Sequence, residues 1–146
     1  MDEALINNEV FLRLLNGRTS TAINRQLYKD FKANEISITP EQWIVLLFLS
    51  VKDGISQQEL AIRTFKDKPS ITRLLDNLEK HSLIARLADK KDKRSNLIYI
   101  TKAGITIHQK ARSTVLQIMK KALHGLTEEE VKAGEALLTK VFKNLE

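Results

Sequence analysis

A short run of charged residues carries the strongest chemical signal in the sequence. Four cations and two anions lie between Asp89 and Asn96, and the run is flanked by two apolar stretches. Its cations are Lys90, Lys91, Lys93 and Arg94. A cationic loop of this kind could enter a narrow nucleic-acid groove. Asp92 could hold the Arg94 guanidinium in a fork, because arginine pairs best with a carboxylate at two points. The plainer interpretation is a charged turn whose ion pairs contribute little.

A second polar group lies upstream, on an amphipathic stretch. Apolar residues from Ile71 to Leu78 follow the spacing i, i+3, i+4, i+7, which predicts a helix with one buried face. The predicted outward residues are Arg73, Asp76, Asn77 and Lys80. Arg73 could contact a guanine edge or a phosphate, and both remain open at this stage. A solvated amphipathic helix with no ligand is the simpler alternative.

Capping motifs and turn residues define the elements that must position these groups. Three capping boxes are recognisable: Thr39 with Gln42, Ser56 with Glu59, and Thr127 with Glu130. The first opens a helix over Pro40–Val51, which is apolar almost all round and is therefore expected in the core. The second opens a short helix that includes Phe65, and Pro69 marks the next helix after a tight turn. The third opens the last helix, after Gly125 stops the one before it.

Two strands and two long helices complete the predicted order. The pattern predicts strands over residues 83–87 and 97–101, joined by the charged loop. An amphipathic helix over residues 4–32 bends near Gly17, and another helix spans residues 102–123. One side of that second helix is expected to hold Ile105, Ala111, Val115, Ile118, Met119 and Ala122. The order is four helices, two strands and two helices.

This order predicts a mainly α fold with a small β-hairpin, namely a winged helix-turn-helix domain flanked by N- and C-terminal dimerisation helices. Residues 1–146 form a single domain, with a DNA-binding lobe over 36–101 and dimerisation helices over 1–35 and 102–146. The flanking helices carry more apolar positions than a small lobe can cover, which favours a homodimer over packing within a monomer. The predicted DNA contacts are Ser56, Gln57, Lys68, Ser70, Thr72, Arg73, Asn77, Lys90, Lys91, Lys93 and Arg94, with Asp92 supporting the wing.

Composition narrows the possible functions. The chain of 146 residues has a net charge of +6, of which +4 falls within residues 66–94. It has no cysteine, which excludes disulfides, cysteine-ligated metals and thiol chemistry. Its longest apolar run, from Trp43 to Leu49, is too short to span a membrane, so a cytoplasmic location is expected. No cofactor, metal site or catalytic group is predicted. The three histidines are far apart and are expected at the surface or at helix ends.

The segment from Thr39 to Gly104 resembles the multiple-antibiotic-resistance regulator (MarR) family. Similar residues include the runs at 39–43, 59–61 and 70–74, and the most specific match is the wing pattern Asp89, Asp92, Arg94, Thr101 and Gly104. The resemblance implies a homodimer whose Arg94 reaches the minor groove with support from Asp92. Lys90 replaces a common proline and Lys93 a common arginine. Ser82 stands where glycine is usual, and strain is expected there if the backbone needs a positive φ.

These observations predict a sequence-specific DNA-binding regulator, namely a dimeric repressor of an inverted-repeat operator that a small-molecule ligand releases. The family often binds a small aromatic or phenolic effector, for which Phe11, Trp43, Ile44 and Phe48 are candidate lining residues; an ordinary core role is the simpler interpretation of each. The alternative function is a winged-helix protein-interaction module without specific DNA binding, since a fold does not fix a function.

Overall fold

The N-terminal segment is helical and bends at Gly17. The computed structural model describes residues 9–92 and 94–146, apart from the side chains of Phe11 and Leu12. A kinked segment (Leu14–Arg18) joins helix α1 (Glu9–Arg13) to helix α2 (Thr19–Ala33). Gly17 has a φ of +91°, a left-handed value that interrupts the regular helix. The bend predicted near Gly17 is confirmed, while residues 4–8 of the predicted helix lie outside the described residues.

Helix α3 (Pro40–Val51) lies at the centre of the core, with the predicted bounds. Both bonds of its capping box are present, since the Thr39 hydroxyl accepts from the Gln42 N–H and the Gln42 side chain accepts from the Thr39 N–H. Val45, Leu46 and Leu49 are at most 1% exposed. Burial is not complete all round, because Ile44 is 38% and Val51 is 79% exposed.

Two short helices follow in tight succession, α4 (Gln57–Arg63) and α5 (Lys68–Lys80). The expectation that Phe65 continues α4 was wrong. Phe65 has a φ of +52°, which no right-handed helix accommodates, and it is 76% exposed to solvent. Its ring packs edge-on against Phe142 near the C-terminus, with centroids 5.3 Å apart.

A three-stranded antiparallel sheet forms the wing and its base, in the order β1-β3-β2. Strands β2 (Ile84–Ala88) and β3 (Asn96–Ile100) are offset by one residue from the predicted ranges. Strand β1 (Ile55–Ser56) was not predicted, because two residues are too short to show alternation. It pairs Ile55 with Ile98 and so joins the hairpin to the helical lobe.

The chain ends in two further helices, α6 (Lys102–Ala122) and α7 (Glu128–Lys143). The buried residues of α6 are Gly104, His108, Ala111, Thr114, Val115 and Ile118. Ile105 and Ala122 were expected on the packed side but are exposed. Helix α7 has both bonds of its predicted capping box and no buried residue. Residues 9–92 and 94–146 include no helix whose length and hydropathy would let it cross a membrane.

The turn between α5 and β2 holds a non-glycine residue in left-handed backbone. Ser82 has a φ of +58°, so the condition for the strain that the resemblance led us to expect is met, and a side chain there costs about 1 kcal/mol or more. We expect Ser82→Gly to raise the free energy of unfolding by up to about 1 kcal/mol, measured by urea denaturation. Ser113→Gly, inside α6, is the matched control and should lower the free energy of unfolding by about 0.5 kcal/mol. Destabilisation by both variants would contradict the assignment of strain to Ser82.

Candidate nucleic-acid interface

Short polar side chains begin both helices of the helix-turn-helix. The Ser56 hydroxyl accepts the Glu59 N–H at 3.1 Å, and the Asp67 carboxylate accepts the Ser70 N–H at 2.7 Å. The Ser56 capping box is only half formed, because the Glu59 carboxylate pairs with Arg63 at 2.7 Å instead of closing it. Hydrogen bonds from Ser70 lower the pKa of Asp67, so this cap stays charged at the positive end of α5.

Helix α5 presents the predicted faces. Ile71, Leu75 and Leu78 are fully buried, and Leu74 packs against the core while partly exposed. The predicted outward residues Arg73, Asp76, Asn77 and Lys80 are all exposed. The helical period was sufficient to predict this orientation, because one apolar stripe must face the core. Arg73 and Lys68 thus point cationic side chains outward from the first half of the helix.

Three predicted contact residues are also joined within the lobe. The Gln57 Nε2 donates to the Thr72 Oγ1 at 2.6 Å, which ties the start of α4 to α5. The Thr72 hydroxyl in turn donates to the Lys68 carbonyl at 2.7 Å. Asn77 accepts from the Nε2 of buried Gln42 at 2.6 Å through its Oδ1. These bonds fix the orientation of Gln57, Thr72 and Asn77, so each has only its remaining polar groups to offer a ligand.

The wing tip, residues 89–95, is closed by its own main chain. The Asp89 N–H donates to the Ser95 carbonyl, and the Ser95 N–H donates to the Asp92 carbonyl, both at 2.9 Å. Asp92 does not fork the Arg94 guanidinium as expected, and its carboxylate instead accepts the Arg94 main-chain N–H at 3.0 Å. Asp92 therefore shapes the loop, while Arg94 is exposed. Lys90 and Lys91 are exposed beside it, and Lys93 lies outside the described residues.

A groove of about 660 Å³ separates the helix-turn-helix from the wing tip. Lys68 lines it from the start of α5 and Arg94 from the wing tip. The other lining residues are Gln57, Gln58, Ala61, Ile71, Asp92, Ser95 and Asn96. The fold thus brings several of the predicted contact residues together around one polar cleft with cations on both sides. Such a cleft suits the anionic backbone of a nucleic acid.

Arg86 links the wing to α5 and was missed in the sequence. Its Nη2 lies 2.7 Å from Asp76 Oδ1 and its Nη1 lies 2.6 Å from Glu79 Oε2. The Arg86 side chain is only 16% exposed, whereas its two partners are 60% and 42% exposed. Carboxylates at i and i+3 on one helix face were the available signal, since they share a side of the helix. The sequence did not indicate which of its several arginines pairs with these two carboxylates, because the partner lies on a separate strand.

His108 is buried where α6 meets α3, which corrects the expectation of a surface or helix-end position. It is 5% exposed and stacks on Trp43, with ring centroids 5.5 Å apart. The Trp43 Nε1 donates to the His108 carbonyl at 3.3 Å. Within the described residues, its Nδ1 is the buried side-chain atom that lacks a hydrogen-bond partner. His81 and His124 are exposed, as expected.

The buried imidazole makes stability depend on pH. Burial lowers the pKa of His108 below its ordinary value of 6.5, and nearby Arg112 lowers it further. As the pH falls, His108 is therefore protonated in the unfolded chain before it is protonated in the folded one. The free energy of unfolding keeps its full value above pH 6.5 and decreases as the pH drops below it. We expect urea midpoints to decrease between pH 7.5 and 5, and His108→Phe to flatten that decrease. His124→Gln, at an exposed histidine, should keep the wild-type slope, and equal slopes for all three proteins would contradict the assignment.

The fold and site together define a winged helix-turn-helix protein. Helix α5 is its reading helix, α4 is the supporting helix, and strands β2 and β3 with the cationic tip form the wing. A sequence model of the MarR family matches residues 36–95. The chain is 29% identical over 117 residues to an HTH-type transcriptional regulator of Bacillus subtilis (strain 168), YybA, covering 80% of this chain and 77% of that protein.

Solved structures share the fold over most or all of the chain. A MarR family transcriptional regulator from Silicibacter pomeroyi is 26% identical, with a TM-score of 0.81 over 100% of this chain and 97% of that one. The S. aureus MepR–DNA complex is 29% identical, with a TM-score of 0.79 over 87% of this chain and 92% of that one. In both sequence and fold, the chain is thus similar to winged helix-turn-helix transcriptional regulators of the MarR family.

Proposed function

We propose that this regulator is a dimeric repressor that binds an inverted-repeat operator in double-stranded DNA. The observation that carries the proposal is the groove between α5 and the wing tip, which has Lys68 on one side and Arg94 on the other. The structure of MepR with DNA, in a chain 29% identical to this one, supports it. Repression follows if the bound protein covers a promoter. This function needs no catalytic group and places the protein in the cytoplasm with the DNA.

The N-terminal half of α5 lies in the major groove under this proposal, and the wing tip lies over the adjacent minor groove. Arg73 and Lys68 are the side chains free to contact base edges or phosphates. Ser56, Gln57, Ser70, Thr72 and Asn77 make polar contacts with the hydrogen-bonding groups that internal bonds leave available. Lys90, Lys91, Lys93 and Arg94 supply positive charge at the tip. Asp92 holds the tip in shape.

The lobe (residues 36–101) is the DNA-binding part of the single domain, and residues 1–35 and 102–146 form the dimer. The C-terminal helix supports this division, since α7 has no buried residue within one chain. Its exposed apolar side chains include Leu137, Leu138 and Phe142, which are 48%, 56% and 41% exposed. Apolar surface of this kind is normally covered by a partner. A two-fold dimer would place its two reading helices about 34–36 Å apart, as an inverted repeat requires.

A small aromatic or phenolic effector completes the proposal as the signal that releases the operator. Since the chain has no cysteine, such a regulator must sense by binding and not by thiol oxidation. Of the candidate lining residues, Trp43 already stacks on His108, and Phe48 carries the Arg63 guanidinium 5.9 Å from its ring centroid. Ile44 is partly exposed, and the side chain of Phe11 lies outside the described part.

Selection from a pool of random-sequence duplex DNA tests the function. We expect enrichment of one inverted repeat, whose centre-to-centre spacing reports the dimer. Affinity for the enriched duplex should fall steeply with salt, because each neutralised phosphate releases a counterion. Recovery of no preferred sequence, together with a flat salt response, would favour the protein-interaction module instead.

A further inference from the structure

Arg86 of β2 joins two carboxylates on the exposed side of α5. Its Nη2 and Nη1 reach Asp76 and Glu79 at 2.7 and 2.6 Å, so each prong of the guanidinium holds a different turn of the helix. We call Arg86, Asp76 and Glu79 the Arg86 clamp. Because a guanidinium is planar and rigid, two short bonds in different directions fix both its position and its orientation. Lysine could keep the charge but not this geometry.

The clamp crosses the gap between the reading helix and the wing. Below it, α5 and β2 are joined by the turn at His81, Ser82 and Leu83, and buried Ile84 begins the strand. Beyond Arg86, the hairpin continues through the pairs Leu87–Leu97 and Ala88–Asn96 to the tip. At about 3.3 Å per residue, the five steps from Ile84 to Asp89 span roughly 16 Å, so a tilt of about 10° at the base would move the tip by about 3 Å. That displacement is as long as a hydrogen bond.

The clamp also changes the charge that α5 presents. Asp76 and Glu79 lie on the exposed side of the helix, where unpaired carboxylates would repel DNA phosphates. Arg86 offsets one of these two negative charges. Arg86 could therefore affect DNA binding through its charge or through the position of the wing, and suitable variants distinguish the two effects.

We propose that Arg86 is a positioning residue for DNA recognition, which sets the angle between the reading helix and the wing so that Arg73 and Arg94 engage one site together. This inference rests on the proposed function for its consequence in DNA binding. Arg86 itself need not touch the DNA, because its guanidinium is engaged by the two carboxylates. Sequence preference depends on it because the two reading elements must fit a fixed groove spacing.

Two variants separate position from charge. Arg86→Lys keeps the charge and loses the fork. The triple variant Arg86→Met, Asp76→Asn, Glu79→Gln removes the clamp and makes the protein one charge more positive. If position matters, both bind the selected operator about tenfold more weakly while affinity for a random-sequence duplex of equal length changes less than about twofold. If Arg86 only screens charge, the triple variant binds the operator at least as tightly as the wild type. Arg63→Met, which removes an arginine paired at 2.7 Å with Glu59, is the matched control and should keep operator affinity.

A second readout does not involve DNA. The chain has no cysteine, so Ala88→Cys at the exposed end of β2 accepts a single nitroxide label. We expect the label to move more freely in the Arg86→Lys background, with an unchanged urea midpoint. An unchanged nitroxide spectrum, or equal loss of affinity for operator and random duplex, would overturn the positioning role. A wild-type protein that binds both duplexes alike would instead overturn the proposed function, and the nitroxide spectrum would still decide whether the clamp holds the wing.

Discussion

Replacing Gly104 by alanine is expected to lower the free energy of unfolding by about 3 kcal/mol or more. A Cβ at this position would lie 2.1 Å from the Leu83 carbonyl oxygen and 2.8 Å from Ile100 Cγ1. The carbonyl cannot withdraw freely, because it accepts the Thr101 main-chain N–H at 3.1 Å. Relief therefore requires α6 to move away from the base of the wing. The close approach also explains why the wing pattern ends in glycine at a position with no positive φ.

Gly134→Ala is the matched control for this prediction. Gly134 lies inside α7, and an added Cβ would meet no atom within 4 Å. Alanine there should raise stability by up to about 1 kcal/mol, since it favours the helix over the unfolded chain. Urea denaturation of both variants makes the comparison. Similar midpoints for Gly104→Ala and the wild type would mean that the helix and the wing base can separate without cost.

Arg94→Ala is expected to weaken operator binding by about 1–3 kcal/mol, or about 5- to 150-fold. The substitution isolates the guanidinium, because Asp92 bonds the main-chain N–H of residue 94, which alanine retains. The salt dependence of binding should become shallower by about one ion for each wing that loses a phosphate contact. Asp92→Ala should cost less, since the arginine keeps its charge in a less ordered loop.

Fluorescence anisotropy with the selected operator measures both effects. Arg25→Ala removes an exposed cation from α2 and controls for the loss of net charge. Equal operator affinity for Arg94→Ala and the wild type would remove the wing tip from recognition. A loss of the same size in Arg25→Ala would assign the effect to net charge.

Local pattern was enough to predict most of the elements. Thr39 and Gln42 fixed the start of α3 because a capping box is formed by residues three apart. The apolar period from Ile71 to Leu78 determined which side of α5 faces outward. Each of these features depends on neighbours in the chain, which is why periodicity and capping rules reach them.

The features that could not be predicted from the sequence depend on contacts between residues far apart in the chain. Gln42 and Asn77 lie 35 positions apart, and nothing local indicates that one amide closes a capping box while also holding α5. His108 reads as a polar residue on a helix, and its burial follows only from the approach of Trp43. The expected Asp92 fork failed for the opposite reason, because a main-chain N–H two residues away is a nearer donor than a flexible guanidinium.

Strand β1 has a consequence for how the protein is made. It pairs with β3, so the base of the wing joins Ile55 to Ile98 across most of the lobe. Helices α4 and α5 contact each other over a short stretch of chain and can form early, whereas this ladder must wait for a distant segment. A nascent chain therefore carries its reading helix before it has a wing, and the complete interface exists only after translation has passed Ile100.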